Sequence, residues 1–147
     1  MDPRAEWLEA DGLGGFASGT VGGERTRRYH AVLCAALAPP AQRHVFVNGF
    51  DATLETAAGR FALSSQRYAP DTTHPDGATR LVAFASEPWP TWTYAIDERT
   101  QVVQELCLVA GAPVARPGRS AACLFQRLRR CSPSQPNHGR VSSRTRQ

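Results

Sequence analysis

Apolar and polar residues alternate most clearly over residues 91–96. Trp92, Tyr94 and Ile96 share one face of this segment, while two threonines and an alanine share the other. Side chains of a β-strand point alternately to its two faces. This period of two therefore predicts a strand that buries its aromatic face and leaves the other face partly open to solvent.

Two further extended segments flank this one. Residues 80–86 precede it, and residues 97–100 form a polar turn that leads into an apolar segment at 102–109. A short polar turn between two apolar segments is typical of a hairpin. We therefore expect the strands at 91–96 and 102–109 to pair.

Short apolar segments also fill the first part of the chain. The predicted strands there cover residues 30–38, 44–48, 52–56 and 61–63. Pro39 and Pro40 are expected to end the first of them, since proline lacks the backbone donor that a sheet needs. Residues 57–60 predict a hairpin turn, residues 69–79 predict a loop, and no helical periodicity is evident before residue 110. The pattern predicts an all-β fold, an antiparallel β-sandwich.

Glycine is concentrated in residues 6–33, which contain six glycines and end in an arginine-rich segment followed by Tyr29 and His30. Glycine tolerates positive φ and lets backbones approach closely. Large apolar residues lie among these glycines, which is not typical of a flexible linker. We predict an ordered loop that leads into a strand near Tyr29. The glycines assigned to this structural loop are Gly12, Gly14, Gly15 and Gly19.

The neighbouring residues exclude three common functions of glycine-rich loops. A dinucleotide-binding turn needs a buried strand before the glycines and a helix after them, whereas residues 6–11 are charged and residues 18–28 lack an apolar stripe. A phosphate-binding P-loop needs a lysine, but all seventeen basic residues are arginines. Schiff-base catalysis is excluded for the same reason. A GxSxG nucleophile elbow is excluded because Phe16 stands where its first glycine belongs.

Charge divides the 147 residues into two parts. Residues 1–105 contain all thirteen acidic residues and nine arginines, whereas residues 106–147 contain eight arginines and no acidic residue. The net charge of +4 therefore comes from the end of the chain. We expect a β-sandwich domain over residues 1–113 and a tail rich in Arg, Ser and Pro over residues 114–147. The tail is expected to be disordered or irregular, with a short helix over 121–130, and one interpretation is that it is translated out of frame.

No metal, cofactor or membrane segment is expected. The four cysteines have no CxxC spacing and no interleaved histidines, which favours free thiols over a zinc site. The first residues contain no apolar signal-peptide core, and the longest apolar run, residues 31–38, is too short to span a bilayer. These features predict a cytoplasmic protein.

An ordered series of motifs in residues 6–110 resembles the N-terminal domain of the bacterial and archaeal glycogen debranching enzymes, the amylo-α-1,6-glucosidases. The matching motifs in this chain are Glu6-Trp7-Leu8, Asp11-Gly12-Leu13-Gly14-Gly15, Phe16-Ala17-Ser18-Gly19-Thr20 and Thr26-Arg27-Arg28-Tyr29-His30. Two residues depart from the family pattern: Asp11 stands where the family has Asn, and Ala31 where it has Gly.

The resemblance implies a function in the breakdown of glycogen or another branched α-glucan. In the family, the catalytic carboxylates lie in a C-terminal (α/α)6 barrel, which this sequence does not contain. The resemblance thus implies a noncatalytic domain, the N-terminal part of a super-β-sandwich, whose partner is that barrel. It also implies that the chain is truncated or frameshifted.

Two groups of residues are candidates for contacts with glucan or with a neighbouring domain. The first is Arg27, Arg28, Tyr29 and His30, because arginine and aromatic rings suit both kinds of contact. The alternative is that these arginines pair with carboxylates such as Glu6 or Glu24 and that Tyr29 fills the sandwich edge. The second group is Trp89 and Trp92, which would stack on a sugar ring, or, for Trp92, pack in the core.

Two other classes of function remain as alternatives. One is a free-standing α-glucan-binding module that uses the tryptophans and the arginine-rich loop. The other is nonspecific nucleic-acid binding through the arginine-rich tail, where the affinity would depend on salt. The tail has no interleaved aromatic residues for base stacking, which disfavours the nucleic-acid alternative.

Overall fold

The computed structural model describes residues 1–38, 41–112, 121–131 and 140–146, and the side chains of residues 1–38 and 42–108. Within these residues the chain forms thirteen β-strands and one 3-10 turn, Gly77–Arg80. The strands are β1 Glu6–Ala10, β2 Phe16–Thr20, β3 Ala31–Ala38, β4 Ala41–Val47, β5 Gly49–Thr56, β6 Gly59–Ala62, β7 Ser65–Tyr68, β8 Thr72–Asp76, β9 Leu81–Ala85, β10 Thr91–Asp97, β11 Thr100–Ala112, β12 Ala121–Cys131 and β13 Arg140–Arg146.

The strands form four sheets in which every paired neighbour is antiparallel. The two largest sheets have four strands each, in the orders β1-β2-β3-β4 and β12-β11-β10-β9. A three-stranded sheet has the order β13-β5-β6, and β7 pairs with β8. The predicted all-β, antiparallel sandwich is confirmed.

Two tryptophans join the four-stranded sheets. The rings of Trp7 in β1 and Trp92 in β10 meet edge to face, with centroids 5.1 Å apart and an interplanar angle of 82°. Phe84 in β9 packs on the other side of Trp92, with ring centroids 5.3 Å apart. The Trp92 Nε1–H also donates to the Val21 carbonyl at 3.0 Å, so the indole is buried without an unsatisfied donor.

The hairpin predicted around residue 98 is present. β10 pairs with β11, with Trp92 opposite Gln104 and Tyr94 opposite Val102. Trp92 and Tyr94 are buried, whereas Thr91, Thr93 and Ala95 on the other face are only partly buried. The period of two is therefore confirmed, because one face of this strand meets the core and the other does not.

The glycine-rich stretch differs from the single loop predicted for it. It contains two strands, β1 and β2, which pair from Glu6 opposite Thr20 to Ala10 opposite Phe16. The charges of residues 6–10 argued against a strand, but β1 lies at the edge of its sheet. An edge strand needs to bury one face only, and here Trp7 is buried while Glu6 remains exposed.

The loop predicted at 69–79 was also partly wrong, since it contains β8 and most of the 3-10 turn. Backbone contacts fix this segment. The buried Ser65 Oγ accepts a hydrogen bond from Ala78 N at 2.7 Å. A Cβ on Gly77 would lie only 2.5 Å from the Leu63 carbonyl carbon, so only glycine fits there.

The short helix predicted over residues 121–130 is wrong. These residues form β12, which pairs with β11 from Gln101 opposite Cys131 to Ala112 opposite Ala121. The long strand β11 offers a continuous row of backbone partners, and pairing along it satisfies the backbone of residues 121–131.

The expected irregular tail also contains β13, paired with β5. Its other parts, residues 114–120, 132–139 and 147, lie outside the described residues, as does the predicted stop at residues 39–40.

Candidate functional site

The arginine-rich segment lies between β2 and β3. Arg27 Nε is 2.7 Å from Glu6 Oε1, so this arginine forms the ion pair considered from the sequence. The Arg28 guanidinium carbon lies 5.5 Å from the centroid of the Tyr29 ring. Tyr29 is 42% exposed, so it does not fill the sandwich edge. Arg28 and Tyr29 together present a charged and aromatic surface to solvent.

His30 is the last residue of this segment. Its side chain is buried, and Nδ1 accepts a hydrogen bond from Thr26 N at 3.2 Å. Because Nδ1 is an acceptor, the proton of the neutral ring belongs on Nε2, which lies 3.9 Å from Glu6 Oε1. Burial lowers the pKa of His30, and the Glu6 charge opposes this effect. His30 thus fixes the turn that carries Arg27 and Arg28.

A buried carboxylate organises the turn between β1 and β2. Asp11 Oδ1 accepts hydrogen bonds from Leu13 N at 2.7 Å and Gly15 N at 2.9 Å. A Cβ on Gly15 would lie 2.3 Å from Asp11 Oδ2, and Gly14 has a φ of +94°, so both positions require glycine. Asp11 replaces the asparagine of the family pattern and still supplies a side-chain oxygen acceptor. Gly12 also has a positive φ.

A cavity of about 330 Å³ lies beside the arginine-rich segment. Its floor, as we use the term, is the buried group formed by Trp7, Trp92, Tyr94 and Leu106. Its rim consists of the arginines that line it, Arg25, Arg27, Arg28 and Arg67. Gly19 also lines the cavity and faces the Trp7 indole, where a Cβ would be 3.4 Å from the ring. Within the described residues, no Asp or Glu lines this cavity.

The candidate site residues are brought together only in part. Arg27, Arg28 and His30 line the cavity, whereas the exposed Tyr29 does not. Trp92 lies in the floor and belongs to the core, whereas Trp89 is 37% exposed and does not line the cavity. The two tryptophans therefore do not form a shared stacking surface for a sugar.

Sequence reasoning missed a second part of the cavity, formed by residues outside the arginine-rich segment. Arg67 in β7, Asn48 before β5 and Gln104 in β11 line it. They come from three distant parts of the chain and follow no motif. Only the alternation of β11, which places Gln104 opposite Trp92, was a usable signal.

Several described carboxylates interact with neighbouring side chains, in ion pairs or in hydrogen bonds. Glu55 pairs with Arg60, Asp76 with Arg80, and Asp71 with Arg67. Asp51 accepts hydrogen bonds from two side chains, those of Ser64 and Gln66.

Cys34 and Cys107 are free thiols, and burial raises the pKa of both. The side chains of Cys123 and Cys131 lie outside the described part. Within that part, no three His, Cys, Asp or Glu side chains cluster in a way that would hold a metal. Nor does any helix there have the length and apolar character needed to traverse a membrane.

A comparison of the sequence with known protein families tests the resemblance that the motifs suggested. The sequence model of the family described as "Glycogen debranching enzyme N terminal" matches residues 5–117. The chain belongs to this family. Searches of curated proteins and of solved structures found no match. The matched range contains β1–β11. It also contains every described residue that lines the cavity.

Proposed function

We propose that residues 1–113 form a noncatalytic N-terminal domain of a glycogen debranching enzyme, which braces a catalytic helical barrel and forms part of the rim of its α-glucan cleft. The proposal rests on the family match together with the chemistry of the cavity. Hydrolysis of a glycosidic bond needs two carboxyl groups roughly 5 to 10 Å apart on either side of the bond. The cavity contains arginines and no carboxylate among its described lining residues.

The ion pairs support a noncatalytic role. A catalytic acid needs a raised pKa, which burial or a neighbouring carboxylate provides. Glu6 and Asp76 have the opposite environment, because hydrogen bonds from Arg27 and Arg80 lower the pKa of these two carboxyls. Partial burial and the charge of Glu87 raise the pKa of Glu9, but a backbone hydrogen bond from Leu108 opposes this effect, and neither carboxylate lines the cavity.

The exposed surface at Arg28 and Tyr29 supports the contact role. A guanidinium stacked on an aromatic ring offers hydrogen-bond donors and an apolar face at the same place. Both properties suit sugar hydroxyls at a cleft, and they equally suit a polar surface of a neighbouring domain. His30 fixes the geometry of this surface from behind.

Glucose release from a glycogen limit dextrin tests the noncatalytic role. The purified chain is expected to release no glucose above a buffer blank, while an intact debranching enzyme in the same assay serves as the positive control. Release that increases in proportion to the concentration of the chain would contradict the proposal. A Glu9→Gln variant of any active preparation would then show whether the half-buried carboxylate of β1 is responsible.

A further inference from the structure

Of the four described arginines that line the cavity, two pair with carboxylates and two have no ion-pair partner among the described residues. Arg27 pairs with Glu6, and Arg67 lies 2.6 Å from Asp71. Arg25 and Arg28, by contrast, form no ion pair within the described residues, although both line the same cavity. Both side chains are exposed, so their guanidinium groups are available to donate to an anion at the cavity.

Two amide side chains in the cavity walls have no hydrogen-bond partner among the described residues. The side-chain amides of Asn48 and Gln104 are half-buried and make no hydrogen bond to any other described residue. Ser18 Oγ already donates to the Tyr29 carbonyl at 3.3 Å but keeps its acceptor capacity. A half-buried amide without a partner favours a ligand with hydroxyl groups, which can both donate and accept.

The floor and the size of the cavity limit the ligand further. Ligand pockets in proteins have volumes of roughly 300 to 1,000 Å³. A cavity of about 330 Å³ lies at the lower end of this range and suits one sugar ring better than an oligosaccharide. Trp7 and Trp92 supply an apolar floor against which a ring carbon face can pack.

We propose that this cavity binds a phosphorylated monosaccharide. The phosphate is held at the rim by Arg25 and Arg28, whose planar guanidinium groups match phosphate oxygens in pairs. The sugar hydroxyl groups lie against Asn48 and Gln104. This site is independent of the proposed bracing role, because it lies within one domain and requires neither a catalytic barrel nor a glucan.

Calorimetric titration of the full chain at fixed ionic strength tests the proposal with three probes: glucose 6-phosphate, inorganic phosphate and glucose. Glucose 6-phosphate is expected to bind at least about tenfold more tightly than either of the other two, since only it uses the rim and the walls together. Equal affinity for inorganic phosphate, or no detectable binding of the sugar phosphate at millimolar concentration, would overturn the proposal.

Two pairs of substitutions locate the binding. The double variant Arg25→Gln, Arg28→Gln is expected to lose at least about tenfold in affinity for glucose 6-phosphate. The matched control Arg60→Gln, Arg99→Gln removes the same charge at positions that do not line the cavity, and its affinity should be unchanged. An equal loss in the control would show nonspecific attraction and overturn the site.

A second double variant, with substitutions in the cavity walls, tests the proposed binding site even if the arginine variant does not fold. Asn48→Ala with Gln104→Ala is expected to reduce the preference for glucose 6-phosphate over inorganic phosphate, with phosphate binding unchanged. An unchanged preference would contradict the assignment of the sugar to these amides. Glucosidase activity takes no part in any of these measurements, so their outcome is separate from that of the proposed noncatalytic role.

Discussion

The floor and the rim of the cavity differ in burial and in the partners of their side chains. In the floor, Trp7 and Trp92 contact each other edge to face, and each indole N–H donates to a backbone carbonyl. In the rim, Arg25 and Arg28 are exposed and lack ion-pair partners among the described residues. The two indoles are satisfied within the domain, whereas these two guanidinium groups have no ion-pair partner among the described residues.

This difference separates residues that stabilise the fold from residues that are free to bind something else. Burying a tryptophan contributes to the free energy of folding through its large apolar area. An exposed arginine contributes little, because solvent screens its charge. Substitutions in the floor should therefore change stability, and substitutions in the rim should change binding.

The largest effect is expected for Trp92→Ala. It removes the contact with Trp7 and the hydrogen bond to Val21, and leaves a cavity, so the free energy of unfolding should fall by about 3 to 5 kcal/mol. Urea unfolding followed by circular dichroism measures this change. If the alanine variant does not fold, Trp92→Phe keeps a ring and loses the indole donor, and its smaller loss can be measured instead.

Trp89→Ala and Arg28→Gln are the matched controls for Trp92. Trp89 is an exposed tryptophan three residues away, and its removal should change the free energy of unfolding by about 0.5 kcal/mol or less. Arg28→Gln should leave the unfolding midpoint unchanged. A loss at either control equal to that at Trp92 would remove the distinction between floor and rim.

A smaller effect is expected for Asp11→Ala. This substitution tests the turn between β1, which contains Trp7, and β2. The substitution leaves the Leu13 and Gly15 amides without their acceptor and should cost about 1 to 3 kcal/mol. Asp11→Asn keeps a side-chain oxygen at the same place and should cost about 1 kcal/mol or less. Urea unfolding of both variants checks this, and equal losses would show that the acceptor does not hold the turn.

The smallest effect is expected at His30, which lies between floor and rim. Burial lowers the pKa of folded His30 below its ordinary value of 6.5, so the unfolded chain binds the proton more readily. Stability should therefore fall as the pH decreases through and below 6.5, and the stability that the neutral ring contributes is fully present above that value. Protonation of Nδ1 would also break the bond from Thr26 N.

Unfolding midpoints at about pH 7.5 and about pH 5.5 measure this dependence. In His30→Gln the decrease between the two values should be smaller than in the unchanged chain. His44→Gln is the control, because His44 is exposed on β4, and it should keep the full decrease. If His30→Gln also keeps the full decrease, another group is responsible for it.

The strands were predictable where burial follows a simple period. Apolar and polar residues alternate along β10 because one of its faces packs on the core. Its hairpin with β11 was predictable from the polar turn between the two strands. β1, β2, β7 and β8 were missed. β1 is an edge strand, β7 and β8 are short strands that pair with each other, and β2 consists mostly of small residues, so these strands have little apolar pattern. The helix predicted over residues 121–130 failed because an available sheet edge outweighed the local preference.

The candidate site was predictable only on one side. Arg27, Arg28 and His30 follow one another in the chain, so their motif indicated a common surface. The sequence did not distinguish the buried Trp92 from the exposed Trp89, nor did it indicate that Arg67 and Asn48 would line the same cavity. Those relations depend on which sheet faces meet.

By itself, the sequence determined the family, the all-β character, and the need for glycine where the chain turns between Asp11 and Gly15, because each of these depends on residue types at short spacings. Only the tertiary structure decided that arginines from two distant segments line one cavity and that no described carboxylate lines it. The reason is physical: strand pairing and packing between sheets join residues far apart in the chain, and charge balance in a cavity is a property of that assembly.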